Sequence, residues 1–397
     1  MKSKINLICR WAYPESQGGI AMHNFYLMES LKKSMQCEII SVDSKINSSF
    51  YAQSGILFTN IFLNRYINKM HQIKFGVLKN ASRFVSDRYI SKYFDRILEK
   101  YSGLYEFMDI HSEGYYFLKN NPDKRYLSII RSHTPFTLLR KYFNKSELYG
   151  VNTWFASSSE RKSFNWVGHI TTPSQDLKNQ LIELFDINSN KIKVIPNILD
   201  TNHFKPIKKE HSNYFNILHV GRFERAKGIE TLIETFILIA KKYSDIYLTC
   251  VGNPRGPSLE KCQHRLLKEG LNERVVFTGY ITYDELPAYY SQCDLVVVPS
   301  EIYESFSYTV AQGMACGKPV IASNIGGIPE TINNGKAGIL FEPGNIGDLT
   351  EKIEFLYHNG HKRKTIAKKA RKHVLENYSI EILGPRYMSY YKSLIPQ

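Results

Sequence analysis

Hydrophobic positions along the chain come in short apolar runs separated by longer stretches with a helical repeat. Ile5 to Cys9 is a compact apolar strand, followed by a loop from Trp11 to Gly19. From about Ile20 to Lys32, residues Met22, Phe25, Leu27, Met28 and Leu31 recur at the spacing of one helix face. Glu38 to Val42 supplies the next strand, and strand, helix, strand opens a parallel α/β sheet. Residues 47–102 lose this rhythm and read as mostly helical insertions. Further strands are expected at Met108 to His111, Tyr126 to Arg131, Thr153 to Ala156, His169 to Thr171 and Lys193 to Val194. A helix over Ser174 to Leu184 is opened by Pro173 and a serine cap.

Pro196 to Pro206 is polar, carries two prolines and is expected as a hinge. A cleaner alternation follows. Strands are predicted at Asn216 to Val220, Ile246 to Val251, Arg274 to Thr278, Leu295 to Val298 and Val320 to Ala322. Helices are predicted near 229–242, 258–269, 284–290 and 307–316. Asp348 to Gln397 reads as mostly helical, with Gly384-Pro385 breaking it before Arg386 to Ile395.

At 397 residues and 46.0 kDa the chain is long enough for two domains with full cores. No run is long and apolar enough to span a bilayer, and Asn6 and Arg10 interrupt the first apolar run. A cytoplasmic location is expected. Six scattered cysteines suggest neither zinc nor disulfides. The net charge of +15 suits an anionic partner. Residues 61–101 hold nine Lys/Arg against three acids, interleaved with aromatics, which fits a lobe lying on an anionic membrane surface. Residues 362–372 hold seven basic residues and no acid, and read as the solvated face of a surface helix. Nucleic acid is not expected as a partner.

The densest chemistry lies in YESFSYTVAQGMACGKPVIAS, Tyr303 to Ser323. Glu304 sits in a polar turn that opens a small-residue helix, whose free N–H groups favour phosphate. Gln312 follows eight residues later, inside that helix. A carboxylate and an amide so placed can hold different parts of one polyhydroxylated, phosphorylated ligand. Arg222 and Lys227 leave the strand ending at Gly221 in a loop that feeds a helix, at the strand end where doubly wound sheets bind ligands. A guanidinium grips phosphate oxygens in a fork, and an ammonium supplies a compact charge. Gly18-Gly19, ahead of the first helix, lets backbone approach a ligand closely. His133 follows the strand Tyr126 to Arg131, and His111 ends the strand before it.

This pattern resembles the retaining family-4 glycosyltransferases, which have the GT-B fold and move a sugar from a nucleoside diphosphate. Glu304, Phe306, Met314, Ala315, Cys316, Gly317, Pro319 and Val320 match the signature, whereas Ser307 replaces its glycine and Gln312 its second glutamate. The resemblance implies two doubly wound Rossmann-like domains facing across a cleft, with the C-terminal helix crossing back to the N-terminal domain. It implies an acceptor-binding domain over 1–198, completed by 380–397, and a donor-binding domain over 199–379. Movement at the Pro196 to Pro206 hinge would close the domains over the donor.

By the same resemblance, Arg222 and Lys227 hold the donor diphosphate with Gly18, Gly19 and the backbone of Ser305, Phe306 and Ser307. Glu304 contacts the donor sugar, and His133 faces the sugar near its reacting carbon. Gln312 meets the ribose by neutral hydrogen bonds in place of charge-assisted ones, and Tyr280 and Ile281 pack on the base. Gly326-Gly327 resembles a loop that fixes the site's geometry. No metal or cofactor is implied beyond the nucleotide sugar, and no Asp-x-Asp motif occurs. The expected acceptor is a glycan or lipid-linked saccharide at the inner face of the cytoplasmic membrane, in envelope polysaccharide or lipopolysaccharide assembly. Two alternatives remain: a soluble synthase making a glucan or disaccharide, and an impaired homologue acting as a membrane or nucleic-acid binding module.

Overall fold

The computed structural model describes residues 3–9, 19–42, 51, 53–61, 98, 101–108, 112–142, 151–208, 212–253 and 257–395. The chain divides into two compact units, Met1–Ile198 with Leu383–Gln397, and Leu199–Ile382. The chain returns to the first unit once, at Leu383.

The first unit holds strands β1 (Lys4–Cys9), β2 (Gln36–Val42), β3 (Leu57–Ile61), β4 (Leu104–Met108), β5 (Ser128–Arg131), β6 (His169–Thr172) and β7 (Ile192–Val194). They form one sheet in the order β3-β2-β1-β4-β5-β6-β7, and every pair is parallel. Helices α1 (Gly19–Leu31), α2 (Ser112–Asn120), α3 (Val151–Trp166) and α4 (Gln175–Phe185) connect them. β1 and β4 are sheet neighbours but not consecutive, which makes the end of β1 a switch point of a doubly wound sheet. β1 and β4 are almost wholly buried, as strands covered on both faces must be. Ser174 caps α4 as expected, its hydroxyl accepting from Leu177 N–H.

Three expectations for this unit change. Thr153 to Ala156 lies within α3, because a short apolar run cannot be told from helix, and the buried Glu160, Ser163, Phe164 and Val167 continue a helical repeat. Leu57–Ile61 is a strand where helical insertions were expected. The fourth strand begins at Leu104 and its described part ends at Met108, so it lies earlier than Met108 to His111. Gly18 and His111 fall outside the described residues, as does nearly all of the basic block 61–101.

The second unit repeats the plan with β8 (Phe215–Val220), β9 (Ile246–Val251), β10 (Val275–Phe277), β11 (Leu295–Val298), β12 (Val320–Ser323) and β13 (Ile339–Phe341). Their order is β10-β9-β8-β11-β12-β13, again all parallel, with the switch between β8 and β11. Helices α5 (Ile229–Lys242), α6 (Ser258–Lys268), α7 (Leu286–Gln292), α8 (Tyr308–Ala315), α9 (Ile346–His358) and α10 (Gly360–Asn377) cover it. α5 buries nine of its residues, Ile229, Leu232, Ile233 and Phe236 among them, against the core of β8, β9 and β11. All six cysteines are free and buried.

The last helix, α11 (Ile380–Leu394), runs without interruption through Gly384-Pro385. The expected break is overridden by packing. Leu383, Tyr387 and Tyr391 are fully buried, and Gly384 lets the helix approach α1, where an added Cβ would lie 3.0 Å from Ser30 Cβ. Tyr387 donates to the carbonyls of Ile195 (3.2 Å) and Pro196 (2.9 Å), and Tyr391 donates to Glu106 Oε2 at 2.7 Å. These contacts outweigh the roughly 3 kcal/mol an internal proline costs. From Leu383 onward the helix thus belongs to the first unit.

Candidate active site

In the second unit, the loops at the C-terminal ends of β8, β9, β11 and β12 are tied together through their backbones. Gly221 N–H donates to Val251 O at 2.9 Å, and Gly252 N–H to Gly279 O at 2.9 Å. The loop after β8 is anchored by Phe223, fully buried and edge-on to Phe277. With that ring turned inward, the Arg222 side chain is about half exposed (48%) and pairs with Glu224 at 2.8 Å. A short 3-10 turn, Arg225–Lys227, leads into α5. Ala226 O accepts from the N–H groups of Glu301 (3.0 Å) and Ile302 (3.1 Å), which joins this loop to the one after β11. Gly228 has φ 71°, and a Cβ there would lie 1.7 Å from Pro299 O, so only glycine lets the two loops meet.

Glu304 lies where these loops converge. Its Oε1 receives Lys227 Nζ at 2.5 Å and the Ser300 hydroxyl at 2.8 Å. Its side chain is 15% exposed and that of Lys227 22%. The Glu304 carbonyl accepts from Gly327 N–H at 2.7 Å, and a Cβ on Gly326 (φ 57°) would lie 2.4 Å from that oxygen. The Gly326-Gly327 loop therefore holds the Glu304 backbone by contact. Glu301 next to it accepts from the Thr231 hydroxyl at 2.5 Å.

Ser305, Phe306 and Ser307 are buried, and Phe306 packs edge-on against Tyr308 and Tyr378. Ser307 precedes α8 with φ −104° and ψ 107°, ordinary extended backbone. Nothing in that conformation requires glycine, which accounts for serine there. Thr309 donates to Val220 O at 3.2 Å and pins the first turn of α8 beside the end of β8. One turn on, Gln312 Oε1 accepts from the hydroxyl of fully buried Tyr290 at 3.0 Å. Tyr280 is 55% exposed beyond Gly279, with Ile281 half-buried beside it.

Under this cluster lies His219, buried on β8. Its Nδ1 is 3.2 Å from Val297 O and, facing a carbonyl, must donate. Burial pushes its pKa down to about 4 and nearby Lys227 adds to the effect, so the ring is neutral at physiological pH.

In the first unit, Gly19 begins α1 and His133 follows β5 directly. His133 is buried, edge-on to His23 of α1 at 6.2 Å. His23 Nδ1 accepts from Ile198 N–H at 3.1 Å, which places the ring proton on Nε2. Burial, with Arg131 and His133 adding to it, holds the His23 pKa well below its usual value. Arg131 is fully buried. It donates to Asn197 Oδ1 (2.7 Å) and Ile195 O (3.0 Å), and its guanidinium lies 5.0 Å from the Tyr387 ring centre.

The structure thus joins Lys227 with Glu304 directly and places Arg222, Ser305, Phe306, Ser307 and Gln312 in the loops and helix around them. Sequence reasoning missed Ser300, Tyr290, His219, His23 and Arg131. Ser300 sits four residues before Glu304 and was open to the question of what steadies that carboxylate. The others meet their partners only through the fold.

Two family models divide the chain: Glycosyltransferase Family 4 matches residues 17–203 and Glycosyl transferases group 1 matches residues 200–373. An uncharacterised glycosyltransferase of Methanocaldococcus jannaschii is 29% identical over 235 residues, 56% of this chain and 59% of that protein. The chain spans roughly half to three-fifths of the length of the curated relatives it matches first. Among solved structures, sucrose-phosphate synthase of Thermosynechococcus elongatus superposes with a TM-score of 0.81 at 20% identity, covering 99% of both chains. HepE of Anabaena, solved in complex with UDP, superposes with a TM-score of 0.76 at 18% identity, covering 98% of this chain and 100% of that one. At such identities the likeness is one of fold.

Proposed function

Because this chain belongs to the group 1 glycosyltransferases of the family 4 type, with the GT-B fold, we propose that it transfers a sugar from a nucleoside diphosphate sugar to a hydroxyl of a glycan acceptor, with retention at the anomeric carbon. The acceptor is a lipid-linked saccharide of bacterial envelope polysaccharide or lipopolysaccharide assembly, met at the cytoplasmic leaflet. Among the described residues no helix is long and apolar enough to cross a membrane. The contact with the bilayer that we propose is peripheral.

The observation that carries this reading is the Lys227–Glu304 pair, placed by the loops of β8 and β11 at the sheet's switch point. Cleaving a sugar–phosphate bond builds negative charge on the departing diphosphate and positive charge at the anomeric carbon. Fixed groups aimed at both lower the barrier without reorganising. Arg222 and Lys227 meet the diphosphate, with the N–H groups of Ser305 to Ser307 at the start of α8 and those of Gly18 and Gly19. Glu304 binds sugar hydroxyls beside the cationic centre. His133 faces the sugar, Gln312 the ribose, and Tyr280 and Ile281 the base. The acceptor hydroxyl attacks on the face from which the diphosphate leaves. The C–O bond to phosphate breaks as the new C–O bond forms, and the departing phosphate oxygen takes the acceptor's proton.

The support from HepE is that a chain of this fold holds UDP. The test is a metal-free screen of UDP-, GDP-, TDP- and CMP-sugars by calorimetry and nucleotide release, with Glu304→Ala as control. One nucleotide sugar that binds and is slowly hydrolysed by the natural chain but not by the variant supports the reading. Absence of binding to all of them overturns it in favour of a binding module.

A further inference from the structure

α10 carries seven basic residues between 362 and 372, and the structure separates them into two kinds. The arginines are turned inward onto backbone carbonyls. Arg363 donates to Leu356 O and to Tyr357 O (2.7 Å), and Arg371 to Ala315 O (2.6 Å), Phe204 O (2.8 Å) and Thr201 O (3.1 Å). Lys362, Lys364, Lys368, Lys369 and Lys372 are exposed. Among the described residues, Lys372 alone of these five meets a carboxylate, Glu376 at 3.7 Å on its own helix.

Three lysines elsewhere on this unit are neutralised locally. Lys241 pairs with Glu269 at 2.6 Å, Lys242 with Glu354 at 2.8 Å and Lys352 with Asp348 at 3.2 Å. α10 therefore presents a positive face that the protein does not balance itself.

Its geometry is that of a stripe. Lys364, Lys368 and Lys372 follow at four-residue intervals, each about 6 Å further along the axis, while Ala370 and Val374 pack underneath. Beside Lys368 and Lys372 runs an open cleft of about 480 Å³, lined also by Pro206, Gly317, Ala367, Arg371, Leu375 and Glu376. Leu375 is 39% exposed, and Ile207 (48% exposed), Lys205 and Lys208 are exposed in the segment that carries Pro206.

We propose that this face docks on an anionic lipid bilayer. The lysine stripe lies among the headgroup phosphates, and Ile207 and Leu375 enter the interface. Lysine suits this role: its aliphatic stem covers apolar surface while its charge reaches outward, and each lysine adds to attraction by an anionic leaflet. A nucleic acid fits less well. The exposed cations on the stripe include no arginine fork, no aromatic ring is among the residues lining the cleft, and exposed Ile207 and Leu375 have no use on a phosphate backbone. None of the residues lining this surface is assigned to sugar transfer, so the proposal holds whether or not the acceptor is lipid-linked.

The test is flotation of the full chain with phosphatidylcholine vesicles, with and without phosphatidylglycerol, alongside a single-stranded RNA oligomer at matched salt. K364E/K368E/K372E reverses the stripe, and K241E/K242E/K352E reverses as many charges among lysines already paired. Circular dichroism melts confirm that both fold, and K364Q/K368Q/K372Q stands in should the reversal not fold. The expected result is binding only to anionic vesicles, weakened about tenfold or more by the stripe variant and within about twofold for the paired-lysine variant. Four outcomes overturn the proposal: no binding to anionic vesicles, equal loss in both variants, full binding by the stripe variant, or RNA bound in preference to vesicles and lost with the stripe.

Discussion

Lys227 and Glu304, 77 residues apart, share a hydrogen bond of 2.5 Å in which the ammonium lies on the same carboxylate oxygen that receives the Ser300 hydroxyl. Resemblance assigns the lysine to a diphosphate and the glutamate to a sugar. The structure shows them holding one another. Such a pair keeps two charges oriented in a partly closed site, and an arriving diphosphate must compete with Glu304 for the ammonium.

The first prediction concerns that pair. Lys227→Met should weaken nucleoside diphosphate binding by roughly tenfold or more, since a charge-assisted bond contributes about 1.5–3 kcal/mol. Glu304→Gln keeps the size and the Ser300 contact but frees Lys227. Diphosphate binding should hold or tighten while sugar transfer falls by about two orders of magnitude, the usual scale for one electrostatic group. Calorimetry with the diphosphate, set beside transfer rates, separates the two effects. Parallel losses of binding in both variants would contradict the division of roles.

Gly228 tests whether the meeting of the β8 and β11 loops is structural. A side chain there faces both a left-handed φ of 71° and the Pro299 carbonyl. Gly228→Ala should destabilise the protein by about 3 kcal/mol, the backbone strain adding to the shift of Pro299. Gly270→Ala is the control, at φ 68° with nothing within 4 Å of the added Cβ, so strain alone should cost about 1 kcal/mol. Urea denaturation of the two variants gives the difference.

Legibility in the sequence followed burial. Leu295–Val298, at the middle of its sheet, is covered on both faces and reads as an unbroken apolar run with its observed limits. Two of the four edge strands were missed, while Lys193 to Val194 and Arg274 to Thr278 located the other two. Leu57–Ile61 and Ile339–Phe341 each close one side of a sheet, are short and only part-buried, and carry little pattern. The site divides in the same way. Glu304 and Lys227 stood out because a motif and a loop drew attention to them. Tyr290, His219 and Arg131 act through partners 22, 78 and 66 residues away, and no local spacing announces such contacts.

Gln312 stands where the resemblance implies a carboxylate, and its oxygen is already engaged by Tyr290. Gln312→Glu should tighten nucleoside diphosphate binding several-fold, because charge-assisted hydrogen bonds to ribose are roughly twice as strong as neutral ones. The Tyr290 hydroxyl can donate to a carboxylate as readily as to an amide, so the fold should tolerate the change. Tyr290→Phe leaves the Gln312 oxygen without its donor and should cost about 1 kcal/mol of stability. Unchanged nucleotide affinity in Gln312→Glu would place the ribose elsewhere.

His219 gives the protein an acid limit whose sign follows from its surroundings. Burial lowers its pKa to about 4 from an ordinary value of 6.5. The unfolded chain therefore takes up the proton first as pH falls. Stability from the neutral ring is complete above pH 6.5 and declines between 6.5 and 4. It levels off below that, after a loss of about 3 kcal/mol at 1.36 kcal/mol per unit. His219→Asn keeps a donor for Val297 O and removes the titration. Melting curves across this window should fall less steeply for the variant than for the natural chain, the remaining slope coming from His23, His169 and His373, whose pKa values burial lowers in the same direction. Parallel slopes would mean that protonated His219 finds a further partner in the folded state, which the cation of Lys227 nearby argues against.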